Sequence, residues 1–172
     1  MNKPLYHFFT EDHRRLDDIL EKAIADPEEI QMNYYQQFRT GLLTHIKMEE
    51  KILFPAAQKA NGGEIVPLAA KLRLEHGAIT SLMVVEPTQE VIKVIRYVLE
   101  KHDTAEEEPG GMYDICERLT HDQTQSLLEE LAKVTEVPLN PINPKSYALE
   151  AAKRSLKRAG FDFGEILASK SQ

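Results

Sequence analysis

Two ionisable residues on the apolar face of a predicted helix constrain this chain more than any other feature of its sequence. His45 and Glu49 lie four residues apart, so both project from one face of a helix. The same face carries Phe38, Leu42 and Ile52, spaced as in a helix that packs in a bundle. A buried carboxylate is costly unless it is protonated, paired or bound to a cation. With an imidazole one turn away, a cation is the first of these three possibilities to test, and the pair alone does not decide among them.

The motif His-x-x-x-Glu-Glu occurs twice, at residues 45–50 and 102–107. A histidine on the apolar stripe of the preceding helix comes before each copy, His13 before the first and His76 before the second. Four predicted helices thus form two pairs, and each pair supplies one histidine and then a histidine followed by a glutamate one turn later. The predicted metal ligands are His13, His45, Glu49, His76, His102 and Glu106. Glu107 is an alternative to Glu106.

Four imidazoles and two carboxylates are too many ligands for one tetrahedral zinc ion. They suit two metal ions, each held by the two histidines of one helix pair, with Glu49 and Glu106 as bridges. Mixed nitrogen and oxygen ligands favour iron or manganese over the thiolate-rich sites of zinc. Six ligands shared between two metals leave open positions, where hydroxide, dioxygen or nitric oxide could bind.

Helical periodicity and its breaks predict an all-α fold, because no alternating strand pattern appears. The first four helices form a bundle, the next is an additional helix, and Pro55 bends or interrupts the second. The predicted helices cover residues 5–25, about 27–60, 65–84, the segment between Thr88 and Pro109, and 112–134.

The character of the chain changes after Val137, where a proline-rich linker leads to a short basic helix that Ser146 caps and Gly160 ends. We divide the chain into a helical bundle, residues 1–135, and a linker with a basic amphipathic tail, residues 136–172. The tail is expected to fold back on the body or to dock on a second copy, so a homodimer is one predicted outcome.

Composition narrows the partners and the compartment. The net charge of −7 and the pI of about 5.4 argue against nucleic-acid binding. Cys116 is the single cysteine, so an internal disulfide is excluded and a reducing compartment is expected. No stretch approaches the roughly 18–20 apolar residues that a membrane span needs. We therefore expect a cytoplasmic protein that does not enter membranes.

The stretch LxxHxxxEExLFP around His45, with the repeat described above, resembles the hemerythrin-like (HHE cation-binding) family of antiparallel four-helix di-iron proteins. The resemblance covers about residues 5–108 and implies two iron ions with an oxide or hydroxide bridge at the six ligands, manganese and zinc being less favoured. It also implies binding or sensing of O2 or NO, iron storage, or repair of iron centres. Oxygen carriers have a histidine where this chain has Thr80, and HxxxxD where it has HxxxE. Its symmetric ligand set is more similar to that of the repair members.

Several expectations concern the surroundings of the site. Glu50 and Glu107 lie about 100° off the apolar face and are expected to be solvated and paired with Lys47 or Lys101. One tyrosine could stand near the metals as a hydrogen-bond donor, but the sequence does not select it among Tyr6, Tyr34, Tyr35, Tyr97 and Tyr113. The alternative function is a metal-free helical interaction module that acts through its basic tail.

Overall fold

The computed structural model describes residues 2–169, which fold into helices without any β-strand. The all-α prediction is therefore confirmed. In chain order the helices are α1 (Pro4–Ala23), α2 (Met32–Met48), a π-helical turn (Glu49–Leu53), α3 (Phe54–Ala60), α4 (Pro67–Leu82), α5 (Gln89–Glu107), α6 (Met112–Leu119), a 3-10 turn (His121–Gln123), α7 (Thr124–Leu131), α8 (Ser146–Arg158) and α9 (Phe163–Ala168).

The long helices α1, α2, α4 and α5 form the predicted antiparallel bundle. Helix α1 packs on α2, α4 packs on α5, and α5 returns to α1, with short connections that reverse the chain direction. Helix α6 packs against α1, α3 and α5 at one end of the bundle, whereas α8 packs on α4 and α9 on α5 near the other end.

Two apolar clusters fill the bundle, one at each end, and every long helix contributes to both. Helix α1 contributes Phe9 to one cluster and Leu16 to the other, and α2 contributes Met48 and Leu42 in the same order. Helix α4 likewise contributes Leu72 and Ile79, and α5 contributes Ala105 and Leu99. His13, His45, His76 and His102 lie between these positions. The bundle therefore contains a polar layer between two apolar layers.

The second predicted helix is interrupted, as expected, but just before Pro55, by a π-helical turn at Glu49–Leu53, and Pro55 lies in the first turn of α3. Proline cannot donate a backbone hydrogen bond, and its ring crowds the carbonyl four residues earlier, here that of Lys51. A wider π-helical turn relieves this conflict. Glu49, a predicted ligand, is the first residue of that turn.

Three predicted boundaries are wrong. Helix α2 begins at Met32 and not near Pro27, because the side chain of Asp26 accepts a hydrogen bond of 2.8 Å from the amide of Glu28 and forms a turn. The predicted helix 112–134 is broken after Leu119, where the hydroxyl of buried Thr120 donates to the carbonyl of Cys116 at 2.8 Å.

The third wrong boundary is in the tail, where Ser146 is the first helical residue and makes no capping bond. Ala152 and Leu156 of α8 are buried in the same apolar cluster as α4, so the tail folds back on the bundle. Helix α9, which the sequence did not predict, is capped by Asp162, whose carboxylate accepts from the amide of Glu165.

The predicted tail extends to residue 172, and residues 170–172 lie outside the described part of the chain, as does residue 1. The division into 1–135 and 136–172 stays a prediction. Among the described residues, no helix is long and apolar enough to cross a bilayer.

Candidate metal centre

The polar layer brings all six residues predicted as metal ligands together. Each has at most 4% of its surface exposed. Their side chains form two groups, in each of which the donor atoms lie within 4.8 Å of one another. One group is His13, His45, Glu49 and Glu106, and the other is Glu49, His76, His102 and Glu106. The two glutamates belong to both groups, which is the arrangement that a pair of bridged metals requires.

The Nε2 atoms of the histidines face one another in pairs. His13 Nε2 lies 3.0 Å from His45 Nε2, and His76 Nε2 lies 3.1 Å from His102 Nε2. The carboxylate oxygens approach the same nitrogens, with 3.1 Å from His76 Nε2 to Glu49 Oε2. The matching distance from His102 Nε2 to Glu106 Oε1 is also 3.1 Å.

A carboxylate contacts the opposite ring nitrogen, Nδ1, of each of these four histidines. The four pairs are His13 with Glu107 at 2.7 Å, and His45 with Asp12, His76 with Glu50 and His102 with Glu75, each at 2.8 Å. Ionised carboxylates only accept hydrogen bonds, so each Nδ1 carries a proton and donates it. In the neutral ring, Nε2 then presents a lone pair to the centre, which is the form that binds metals.

The expectation that Glu50 and Glu107 are solvated and paired with Lys47 or Lys101 is wrong. Glu107 accepts from His13 and from Arg14, and Glu50 accepts from His76 with Arg73 Nε at 3.7 Å. Both carboxylates lie off the apolar face of their own helix, as predicted. There they contact a histidine of a neighbouring helix, His13 in the case of Glu107 and His76 in the case of Glu50. Glu106 is fully buried and belongs to both ligand groups, whereas Glu107 lies behind His13.

A signal for these partners was present in the sequence. Asp12 and Glu75 come directly before His13 and His76, and Glu50 and Glu107 directly follow the inward glutamates. The acids before the lone histidines contact the histidine of the next long helix, so the two copies of the repeat contain ten polar residues and not six.

Tyr113 on α6 is the tyrosine that reaches the centre. Its hydroxyl donates to Glu49 Oε1 at 2.6 Å and lies 3.0 Å from Glu106 Oε2. The same oxygen lies 3.1 Å from His13 Nε2 and 3.2 Å from His45 Nε2. The phenol therefore contacts both shared glutamates but the histidines of only one group, His13 and His45. Thr80 does not replace a histidine, because its hydroxyl donates to the carbonyl of His76 on its own helix at 2.8 Å.

The donor atoms fit a metal for a reason visible in the structure. Glu49 Oε2 and Glu106 Oε1 are buried and have no hydrogen-bond partner within residues 2–169. Burying such oxygens is costly unless a cation is close. Two facing Nε2 lone pairs about 3 Å apart also repel each other unless positive charge lies between them. Each group therefore has unsatisfied electron-pair donors that converge on one volume.

Electrostatics favour positive charge at this place. Burial lowers the pKa of His45, but the Glu49 charge and the hydrogen bond to Asp12 outweigh burial and raise the pKa to about 10. The pKa of His102 is raised well above its usual value in the same way, against burial, by Glu106 and Glu75. Burial and the charge of Glu49 raise the pKa of Glu106. The carboxylates thus favour positive charge at the centre.

Comparison with known proteins agrees with this geometry. The family model described as "Hemerythrin HHE cation binding domain" matches residues 5–85, just under half of the chain. Neither the curated proteins nor the solved structures give a significant match. The matched residues include the first His-x-x-x-Glu-Glu motif and both lone histidines, and α5 beyond the match contributes His102 and Glu106 to the same centre. Residues 5–85 therefore carry the similarity to the hemerythrin HHE cation-binding domain.

Proposed function

We propose that this protein is a non-haem di-iron protein that binds O2 or NO, or handles iron, in sensing, storage or repair of iron centres. One observation carries the proposal: two buried groups of four donors share Glu49 and Glu106, whose inward oxygens have no partner in the described chain. His13 and His45 would hold one iron, and His76 and His102 the other.

The donor set supports iron as the metal. It combines four imidazole nitrogens with two carboxylates and includes no thiolate, and such mixed ligation suits iron or manganese better than structural zinc. Six ligands shared by two metals leave coordination positions unfilled. Bound iron would supply redox-active positions at which a diatomic ligand can bind.

The residues around the centre perform separate tasks. The four carboxylates at Nδ1 fix the orientation and the tautomer of each imidazole. Tyr113 holds a proton 2.6 Å from Glu49, where it can donate to a bridging carboxylate or to a small ligand beside it. Phe9 packs on His45 and on Tyr113, and Phe54 stacks on His76, so apolar rings cover the centre. A centre this enclosed admits small ligands, which supports O2 or NO.

The alternative, a metal-free interaction module acting through the basic tail, receives less support. The apolar side of α8 is buried against α4 and is not free to bind a partner. The alternative also leaves one oxygen of each buried carboxylate, Glu49 and Glu106, without a hydrogen-bond partner in the described chain. A homodimer and the cytoplasmic location remain parts of the proposal.

Metal analysis tests the proposal directly. Protein purified without chelator is expected to contain about two iron ions per chain, and His45→Ala and His102→Ala are expected to reduce this content. His121→Ala is the matched control, because His121 is exposed and away from the centre. Absence of metal from the wild type, with thermal stability unchanged by a chelator, would support the interaction module instead.

Reactivity of the loaded protein separates the branches of the proposal. A reversible O2 or NO adduct of the reduced protein indicates a carrier or a sensor. Oxidation of ferrous ions over many cycles indicates storage. Transfer of iron to an acceptor protein that has lost its iron indicates repair.

A further inference from the structure

A charged groove runs between α1 and α5 and reaches the metal centre from one side. Its volume is about 930 Å³, and its lining includes Arg14 and Asp17 of α1 and Asp103 and Glu107 of α5. Glu107 is the carboxylate that contacts His13, so the inner wall of the groove is also the outer wall of the centre.

Asp103 lies where the groove meets the centre. Its Oδ1 is 3.9 Å from His13 Nε2, the ring nitrogen that faces the metals, whereas Glu107 contacts the opposite nitrogen. The Asp103 side chain is 19% exposed and makes no hydrogen bond within residues 2–169. The next groups inward are His13 Nε2 and, 3.5 Å beyond it, Glu106 Oε2. Glu106 is fully buried, and its other oxygen, Oε1, lies 3.1 Å from His102 Nε2 and has no hydrogen-bond partner within residues 2–169, so an acceptor for a cation lies further inward.

Asp17 faces the same groove one helical turn after His13 and is exposed at the rim. Burial and the nearby charge of Asp103 raise the pKa of Asp17, so the two carboxylates repel each other across the groove. The four cationic side chains of the groove pair with other groups. Arg14 pairs with Glu107, Arg96 with Glu21 and Lys101 with Glu100, and Lys93 donates to the backbone carbonyls of Leu167 and Ser169. Within the described residues neither aspartate has an ion pair with lysine or arginine.

The two aspartates are not part of the duplicated ligand set. In the repeat, the position of Asp103, directly after the His-x-x-x-Glu histidine, is Ile46 in the other copy. The position of Asp17, four residues after the lone histidine, is Thr80. The half of the centre held by His76 and His102 therefore has neither carboxylate. The other copy of the repeat packs without these acids. Their role therefore belongs to the His13–His45 side of the centre.

We propose that Asp17 and Asp103 form an outer cation station in the α1–α5 groove, through which divalent metal passes between solvent and the His13–His45 half of the centre. The proposal rests on the proposed function and adds a route to it. Asp17 attracts the ion at the rim, and Asp103 takes it to within reach of His13 and Glu106. Both carboxylates release it because the inner site offers more donors.

The test is the rate of cobalt(II) uptake by the full-length metal-free protein, followed in a stopped-flow instrument by the visible absorption of the bound ion. The double variant D17N/D103N is expected to load about tenfold more slowly, since acidic clefts raise the on-rates of cations by about 10–10³-fold. Its final content should still be about two ions per chain. Added salt should slow the wild type more than the variant, a difference that a merely structural role would not produce.

The controls keep the result interpretable. Glu100→Gln removes a charge from the same groove at a position 71% exposed, and it should load within about twofold of the wild type. Asp103→Glu keeps the carboxylate and should restore most of the rate. Asp17 is exposed, so Asp17→Asn alone supplies the test if the buried change prevents folding. Extraction of bound cobalt by a chelator should slow in the same variants.

Three results would overturn the proposal. An unchanged rate in D17N/D103N would show that metal uses another route. Loss of one of the two ions at saturation would make Asp103 a ligand and not a station. Failure of the wild type to bind metal would overturn the proposed function as well, which distinguishes that outcome from the first two.

Discussion

Glu75 offers a sharp test of how the centre is held, because it is almost fully buried and its only hydrogen bond within residues 2–169 is to a proposed ligand. One carboxylate oxygen lies 2.8 Å from His102 Nδ1, and the other has no hydrogen-bond partner, with Lys71 Nζ 3.7 Å away. Glu75→Gln keeps the shape of the side chain and an acceptor oxygen but removes the negative charge. The charge is what makes His102 Nε2 a strong electron-pair donor.

The expected loss can be worked out. Changing the partner of a metal-binding histidine costs about 10–100-fold in metal affinity, which is about 1.4–2.7 kcal/mol. At a free metal concentration about 100 times the wild-type Kd, binding stabilises the wild type by about 2.7 kcal/mol and a tenfold weaker variant by about 1.4 kcal/mol. The part of the metal-dependent rise in Tm that comes from the ion held by His76 and His102 should therefore fall to about half in Glu75→Gln.

The assay is a chelator-competition titration with cobalt(II), combined with thermal unfolding at one fixed metal concentration. Glu64→Gln is the matched control, since Glu64 is exposed and outside the centre. Glu50→Gln, at a partner that is 27% exposed, should lose less affinity than Glu75→Gln. Equal affinities for the wild type and Glu75→Gln, with the same rise in Tm, would refute the view that this carboxylate supports a metal ligand.

Three further predictions concern other parts of the molecule. Tyr113→Phe should keep the metal content but release O2 or NO about fivefold faster, because one hydrogen bond contributes about 1 kcal/mol; flash photolysis of the loaded protein measures this. Tyr35→Phe should raise the free energy of unfolding by about 1 kcal/mol, because the buried hydroxyl has no partner in the described chain. Burial raises the pKa of Tyr35 from 10.0 to about 12. The stability that the protonated phenol retains in the wild type is therefore fully present below pH 10.0 and is lost as the pH rises towards 12. Urea titrations should show a smaller loss of stability at alkaline pH in Tyr35→Phe, which has no phenol to ionise. Leu156→Ala should cost about 2–5 kcal/mol in one cooperative transition, whereas a tail that unfolds separately would leave the main transition unchanged.

The six inward residues could be predicted because each histidine or glutamate replaces an apolar residue at a position that helical periodicity assigns to the core. Periodicity treats one helix at a time, so it identifies side chains such as His45 and Glu49 that face inward. It does not give the rotation of neighbouring helices, on which the contact between Glu107 and His13 depends. For the same reason the sequence placed Glu50 and Glu107 in solvent.

Tyr113 could not be selected because its position depends on where α6 packs. The sequence defined α6 as part of one longer helix, and the hydrogen bond from Thr120 that ends it involves local side-chain geometry. The repeat in the sequence likewise did not predict that the two halves of the centre differ. Asp103 and Ile46 occupy equivalent positions, but only the groove between α1 and α5 gives that difference a meaning.

Diffraction data collected at the iron absorption edge test the central claim most directly. Crystals of protein loaded with ferrous ion under anaerobic conditions should show two anomalous peaks per chain, both next to Glu49 and Glu106. One peak should lie between His13 and His45, and the other between His76 and His102. A single peak, peaks at other places, or no peak in crystals of the loaded protein would contradict a dinuclear centre.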